Sequence, residues 1–161
     1  MKKALFPGTF DPPTKGHEDI INRSLNVCDK LFIGIAINPS RIQTVFSIDE
    51  RIKMLKIITQ HDERIEIVAF NDLVVDFAKK NNIDFLIRGL RAFSDFEYEF
   101  RMALANRHIG GLETYFLMAD ETLTHISSSL VRELTLFNRL PKGFIPDSIE
   151  ESVYQKLIKR P

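Results

Sequence analysis

A Rossmann-like α/β fold, with a doubly wound and mainly parallel sheet of about five strands flanked by helices, is predicted by three features of the sequence. Short β-branched or aromatic runs alternate with longer stretches of helical period. Most of those runs carry little polar residue at their centres, as strands covered on both faces do. Several of the helical stretches open on a residue pattern that caps a helix N-terminus.

The strand runs are Lys3–Phe6, Leu31–Ile37, Ile65–Phe70, Phe85–Arg88 and Thr114–Met118. Amphipathic segments lie near 17–28, 48–60, 72–80, 95–109 and 129–137, with a last helix at about 148–159. Ser47-Ile48-Asp49-Glu50 and Ser94-Asp95-Phe96-Glu97 read as capping boxes, and Asp147 stands as a cap before the last helix. After Ser94, the residues Phe96, Phe100, Ala103 and Leu104 share one face, and Glu97 pairs with Arg101 on another. The Phe-rich 93–100 stretch is expected to serve packing rather than base stacking. Cys28 falls at helical spacing from Leu25, Ser24 and Ile21 and is expected in the core.

The 161 residues fit one domain, 1–161, and the 44% hydrophobic content supplies its core. Balanced charge, 22 Lys plus Arg against 22 Asp plus Glu, gives no general attraction to nucleic acid. A single cysteine excludes an internal disulfide and a thiolate-rich zinc site. No apolar run reaches the roughly 20 residues that span a bilayer, and the first residues lack a secretory pattern. A soluble, cytoplasmic protein with neither nucleic-acid nor membrane partners is expected. The four histidines form no close cluster with acids, so no protein-built metal site is expected.

In a doubly wound sheet the ligand sits beyond the carboxyl ends of the strands, near a switch point. The segments that follow the strands are therefore where chemistry is expected. After the first comes Pro7-Gly8-Thr9-Phe10-Asp11-Pro12-Pro13-Thr14-Lys15-Gly16-His17, a stiff loop running into a helix whose first amides attract anions. His17 is either a polar cap on that turn or a donor to phosphate oxygens; Asp11 reads as a turn residue. After the second comes Asn38-Pro39-Ser40-Arg41, ending in a cation. After the fourth comes Ile87-Arg88-Gly89-Leu90-Arg91, whose guanidinium forks match phosphate oxygens or form salt bridges to Asp95, Glu97 or Glu99. After the fifth comes Ala119 to His125, then Ile126-Ser127-Ser128-Ser129-Leu130-Val131-Arg132. One Ser suffices to cap a helix, so three hydroxyls at this point favour an anion site.

Taken together, these segments resemble a known family. Thr14-Lys15-Gly16-His17 is similar to the T-x-G-H motif of the nucleotidyltransferase superfamily, and Ile126-Ser127-Ser128 to its I-S-S motif. Pro7-Gly8-Thr9-Phe10-Asp11-Pro12, Ile87-Arg88-Gly89-Leu90-Arg91-Ala92, Asp95-Phe96-Glu97-Tyr98-Glu99 and Asn106-Arg107-His108 resemble bacterial phosphopantetheine adenylyltransferases, in the family's order and over nearly the whole chain. The resemblance implies reversible adenylyl transfer from ATP to 4'-phosphopantetheine, giving dephospho-coenzyme A and pyrophosphate. It implies ATP contacts at Thr9, Phe10, His17, Gly89, Leu90, Arg91 and Glu99, and along Leu123, Thr124, His125, Ile126, Ser127, Ser128 and Ser129. Acceptor contacts follow at Thr9, Arg41, Val74 and Arg88, with His17, Arg41 and Arg91 stabilising the transferring phosphate. It further implies Mg2+ carried on the ATP phosphates, a homohexamer, and feedback by coenzyme A.

Two positions depart from the family pattern. Arg41 stands where Lys is usual, in a loop one residue longer, and His125 replaces an aromatic before Ile-Ser-Ser. The alternatives are a nucleotidyltransferase acting on nicotinamide mononucleotide or an alcohol phosphate, and a non-catalytic nucleotide-binding module.

Overall fold

The computed structural model describes residues 1–37, 44–139 and 141–158. Five parallel strands, β1 (Lys3–Gly8), β2 (Lys30–Ala36), β3 (Ile65–Phe70), β4 (Phe85–Leu90) and β5 (Glu113–Met118), lie in the order β3-β2-β1-β4-β5. The helices are α1 (Lys15–Ser24), α2 (Ile48–Ile58), α3 (Val74–Lys80), α4 (Phe93–Gly110), α5 (Ser128–Leu136) and α6 (Glu150–Ile158), with a 3-10 turn at Glu121–Leu123. This is the predicted doubly wound sheet, with its switch point between β1 and β4.

The period of two along the central strands divides the core. Ala4 and Phe6 of β1, with Leu31, Ile33 and Ile35 of β2, meet Ile20, Ile21 and Leu55 from α1 and α2. The alternate residues Leu5, Phe32 and Leu86 turn to the other face, against Val75 and Ala78 of α3. Burying each large side chain of this kind contributes about 1.5–3 kcal/mol. A third cluster joins α2, α5 and α6 through Met54, Ile58, Val131, Ile149, Val153 and Leu157. Among the described residues no helix is long and apolar enough to cross a membrane.

Four local expectations need correction. The first helix stops at Ser24 rather than running to 28, because the chain turns there: Val27 and Cys28 both donate to the Ser24 carbonyl, at 3.0 and 3.2 Å. Cys28 is nonetheless buried, as expected, and burial raises its thiol pKa. The fourth helix begins at Phe93 with extended Ala92 as its N-cap, so Ser94 lies within the first turn instead of capping it. The aromatic face of α4 is not covered by this chain, since Phe93 is 89% exposed and Phe96, Phe100 and Leu104 are also open. Finally, β5 is an edge strand with Tyr115 and Met118 exposed, not a strand covered on both faces.

Candidate active site

The strand ends feed one cavity of about 1190 Å³ at the switch point, bounded by the first loop, β4, α4 and the start of α5. Thr9, Phe10, His17, Val74, Arg88, Gly89, Arg91, Glu99 and Ile126 to Ser129 all line it. Segments up to 120 residues apart in sequence thus meet around a single space, as a ligand site beyond the carboxyl ends of the strands requires. Leu90, Leu123, Thr124 and His125 are not on its wall. Leu90 turns into the core, and the exposed His125 ring packs edge-on against Phe144 at 5.1 Å. Arg41 lies outside the described residues.

Local chemistry places His17 in a defined state. Thr14 caps α1, and the His17 side chain returns the contact: Nδ1 accepts from the Thr14 amide at 3.0 Å. An amide can only donate, so Nδ1 is unprotonated and the ring proton resides on Nε2. The cap expected of His17 is thus formed through Nδ1, which leaves the Nε2 proton as the ring's donor. Burial first, and then the nearby charges of Arg91 and Arg88, lower its pKa to about 4. The imidazole is thus neutral at ordinary pH and presents an N–H to the cavity wall.

Phe10 supports this ring from beneath. It sits at φ 52°, a rare conformation for a bulky residue, with its own ring fully buried. Its ring meets those of His17 and Phe6 edge-on, at centroid separations of 5.0 and 5.5 Å. Gly8 makes the fold-back possible, because a Cβ there would stand 2.9 Å from the Phe10 Cζ.

The arginines are pre-positioned by acids and by carbonyls of neighbouring loops. Arg88 forks onto Glu99 and also donates to the Pro7 carbonyl at 2.6 Å. Arg91 pairs with Asp95 at 3.0 Å and donates to the Ile126 carbonyl at 3.1 Å. The salt-bridge alternative for these residues is thus realised, yet each guanidinium has five N–H donors and retains some unused. The three serines divide their work. Ser127 caps α5 through Leu130, Ser128 donates to the Pro12 carbonyl at 2.7 Å, and Ser129 meets Arg132 at 3.4 Å. Only part of the hydroxyl surplus is therefore free for a ligand.

Comparison with known proteins accords with this geometry. The cytidylyltransferase-like family model matches residues 5–134. The phosphopantetheine adenylyltransferase of Clostridium botulinum (strain Langeland) is 42% identical over 158 residues, covering 98% of this chain and 96% of that protein. The one from Caldanaerobacter subterraneus subsp. tengcongensis is 44% identical over 160 residues, 99% of each chain. The chain belongs to the phosphopantetheine adenylyltransferase family. A bifunctional NMN adenylyltransferase/ADP ribose pyrophosphatase from Francisella tularensis, 18% identical, superposes with a TM-score of 0.68. The match covers 98% of this chain and 52% of that protein, and establishes a shared fold. The same protein complexed with AMP and a manganese ion gives 0.66.

For a phosphopantetheine adenylyltransferase, three wall residues carry more than their sequence setting announces. Asp11, read as a turn residue, is buried and accepts from the Val45 and Phe46 amides. Arg51 is a buried cation on the core face of α2, four residues before Leu55, and burial lowers its pKa. Arg132, at the end of the Ile126–Arg132 segment, donates to the Asp11 carbonyl. A charge at an apolar position of the α2 pattern was the available signal for Arg51.

Proposed function

We propose that this chain transfers the adenylyl group of ATP to 4'-phosphopantetheine, reversibly, by direct in-line attack without a covalent enzyme intermediate. An oxygen of the acceptor phosphate forms a bond to the α-phosphorus of ATP while the bond to the bridging oxygen breaks, and pyrophosphate leaves. The second pKa of a phosphate monoester is about 6, so the attacking group is already largely ionised and no base is required. What remains is to hold two anions in line and to stabilise charge on the α-phosphate. The observation that carries this reading is a neutral His17 with its proton on Nε2, in one cavity with Arg88 and Arg91.

In this reading Arg88 and Val74 hold the acceptor, Thr9 touches both substrates, and Phe10, Gly89, Arg91, Glu99 and the Ile126–Ser129 segment hold ATP, whereas Leu90, Leu123, Thr124 and His125 stand off the wall and are not assigned to it. Arg41 is the further phosphate contact, through a planar fork in place of the family's Lys. The wall carboxylates Asp11, Asp95 and Glu99 are already engaged by amides or arginines. Among the described residues no three His, Cys, Asp or Glu side chains converge on a point. That donor set fits Mg2+ carried on the triphosphate, with Arg91, Ser128 and Ser129 holding the phosphates. When bound, the ion neutralises charge on the leaving pyrophosphate.

The uncovered aromatic face of α4 and the open edge of β5 support self-association, in this reading as a homohexamer under feedback by coenzyme A. Pyrophosphate release on mixing the protein, ATP and Mg2+ with 4'-phosphopantetheine, with pantetheine, and with nicotinamide mononucleotide tests the reading. Release is expected only with the first. Release with nicotinamide mononucleotide, or with none of the three, would overturn it.

A further inference from the structure

We infer that Asp11 and Arg51 are positioning residues for His17, acting through Phe10. The first loop and the start of α2 are clasped in both directions. From α2, Arg51 Nη1 donates to the Thr9 carbonyl at 2.9 Å, while its Nε reaches the Ser47 carbonyl at 3.3 Å. From the loop, the Asp11 carboxylate accepts from the Phe46 amide at 2.8 Å and the Val45 amide at 3.0 Å. Each residue is only 4% exposed, so these contacts operate away from competing water.

Phe10 lies between the two anchor points, one on the carbonyl before it and one on the side chain after it. A phenylalanine at φ 52° needs its surroundings to keep it there. Released at either anchor, the backbone relaxes toward negative φ and its ring leaves the edge of His17, 5.0 Å away. The imidazole would keep its Thr14 contact but lose the surface that sets its tilt, and with it the aim of Nε2–H. Neither Asp11 nor Arg51 has to touch a substrate for this effect.

The inference rests on the proposed reaction and on His17 as its donor. A double-mutant cycle separates positioning from general structural support. Asp11→Asn replaces one acceptor oxygen with a donor facing an amide, and Arg51→Lys keeps the charge but loses the fork. Each is made alone and in a His17→Ala background, and kcat and both KM values are read from pyrophosphate release with ATP and 4'-phosphopantetheine. In the otherwise unchanged chain kcat is expected to fall by about tenfold to a hundredfold, the scale of a displacement near 1 Å. In the His17→Ala background the same substitutions should change kcat less than about twofold, because there is no imidazole left to misplace.

Equal losses in both backgrounds, or losses confined to KM, overturn the inference. Where Asp11→Asn shows no cooperative thermal transition, Arg51→Lys decides; if neither variant folds, the clasp is structural and the inference is overturned. An unsubstituted chain that releases no pyrophosphate brings down the functional reading itself, which is a different result from additive losses in an active enzyme.

Discussion

Arg88 and Glu99 form a two-pronged pair, Nε to Oε2 at 2.7 Å and Nη2 to Oε1 at 2.5 Å. With Nη1 on the Pro7 carbonyl, three of the five N–H donors are taken and two remain for an anion. The pair fixes the guanidinium plane, so binding a phosphate costs little side-chain ordering. Arg88→Ala should raise the KM for 4'-phosphopantetheine by about tenfold to a hundredfold, the range for losing a charge-assisted hydrogen bond. Glu99→Gln should raise it less, because one prong survives. Initial rates against acceptor concentration check both, and unchanged acceptor saturation in Arg88→Ala removes that residue from its role.

His17→Ala removes one fixed donor from the position where charge develops. Such a loss costs about 3–4 kcal/mol of barrier, a hundredfold or more in rate. The expected signature is a fall in kcat with the KM for ATP nearly unchanged. An equal loss in ATP binding would make His17 a ground-state contact instead.

The pH dependence follows from the same side chain. Because its folded pKa is about 4 against an ordinary 6.5, the unfolded chain binds the proton more readily between those values. Stability is therefore lost as pH falls from about 6.5 toward 4 and is fully present above that window. Urea unfolding of the unsubstituted chain and of His17→Gln should show the unsubstituted chain losing ground to the variant on acidification. Activity behaves differently: kcat/KM for the acceptor should fall below pH about 6 as its own phosphate protonates, with no limb from His17 in that range.

The sheet could be read from the chain because the strand runs are bounded by turn chemistry and the starts of α1, α2 and α5 by side-chain caps, both of which are local. The loops that line the cavity could be read for a related reason, since their Gly, Arg, His and Ser residues fall in short segments after the strands. What escaped depends on contacts between distant segments. The amides that engage Asp11 belong to Val45 and Phe46, and no local pattern announces that a turn acid will find them. Periodicity in α4 correctly places Phe96, Phe100 and Leu104 on one side, but it is silent on whether the covering surface belongs to the same chain. At Ser24 the apolar spacing continues to Cys28 although the helix does not, because burial alone maintains the spacing through the turn.

The open face of α4 predicts assembly. Phe93, 89% exposed, and Phe96 sit with their rings 6.2 Å apart at one end of it, beside Phe100. A contiguous apolar patch of this kind is rare on a monomer and marks an interaction surface. Phe93→Glu places a charge there without touching the cavity wall. Sedimentation velocity should show a smaller species than the unsubstituted chain at the same concentration. An unchanged sedimentation coefficient would mean that this face carries no self-association.

Gly34 tests the packing beneath the site. It lies in the middle of β2, paired with Pro7 of β1 and Val68 of β3. A Cβ at this position would stand 2.7 Å from Phe70 Cε1 and 2.8 Å from Leu5 Cδ1, closer than real contacts allow. Neither neighbour can give way cheaply: Leu5 is fully buried, and the Phe70 ring is stacked on Phe77 at 4.5 Å. Gly34→Ala should therefore destabilise the fold by about 1–3 kcal/mol, the usual cost of overpacking a core, despite the lower chain entropy of alanine in the unfolded state. The urea midpoint should drop with its slope unchanged. A midpoint equal to that of the unsubstituted chain would mean that β2 and β3 separate more easily than their shared ladder implies.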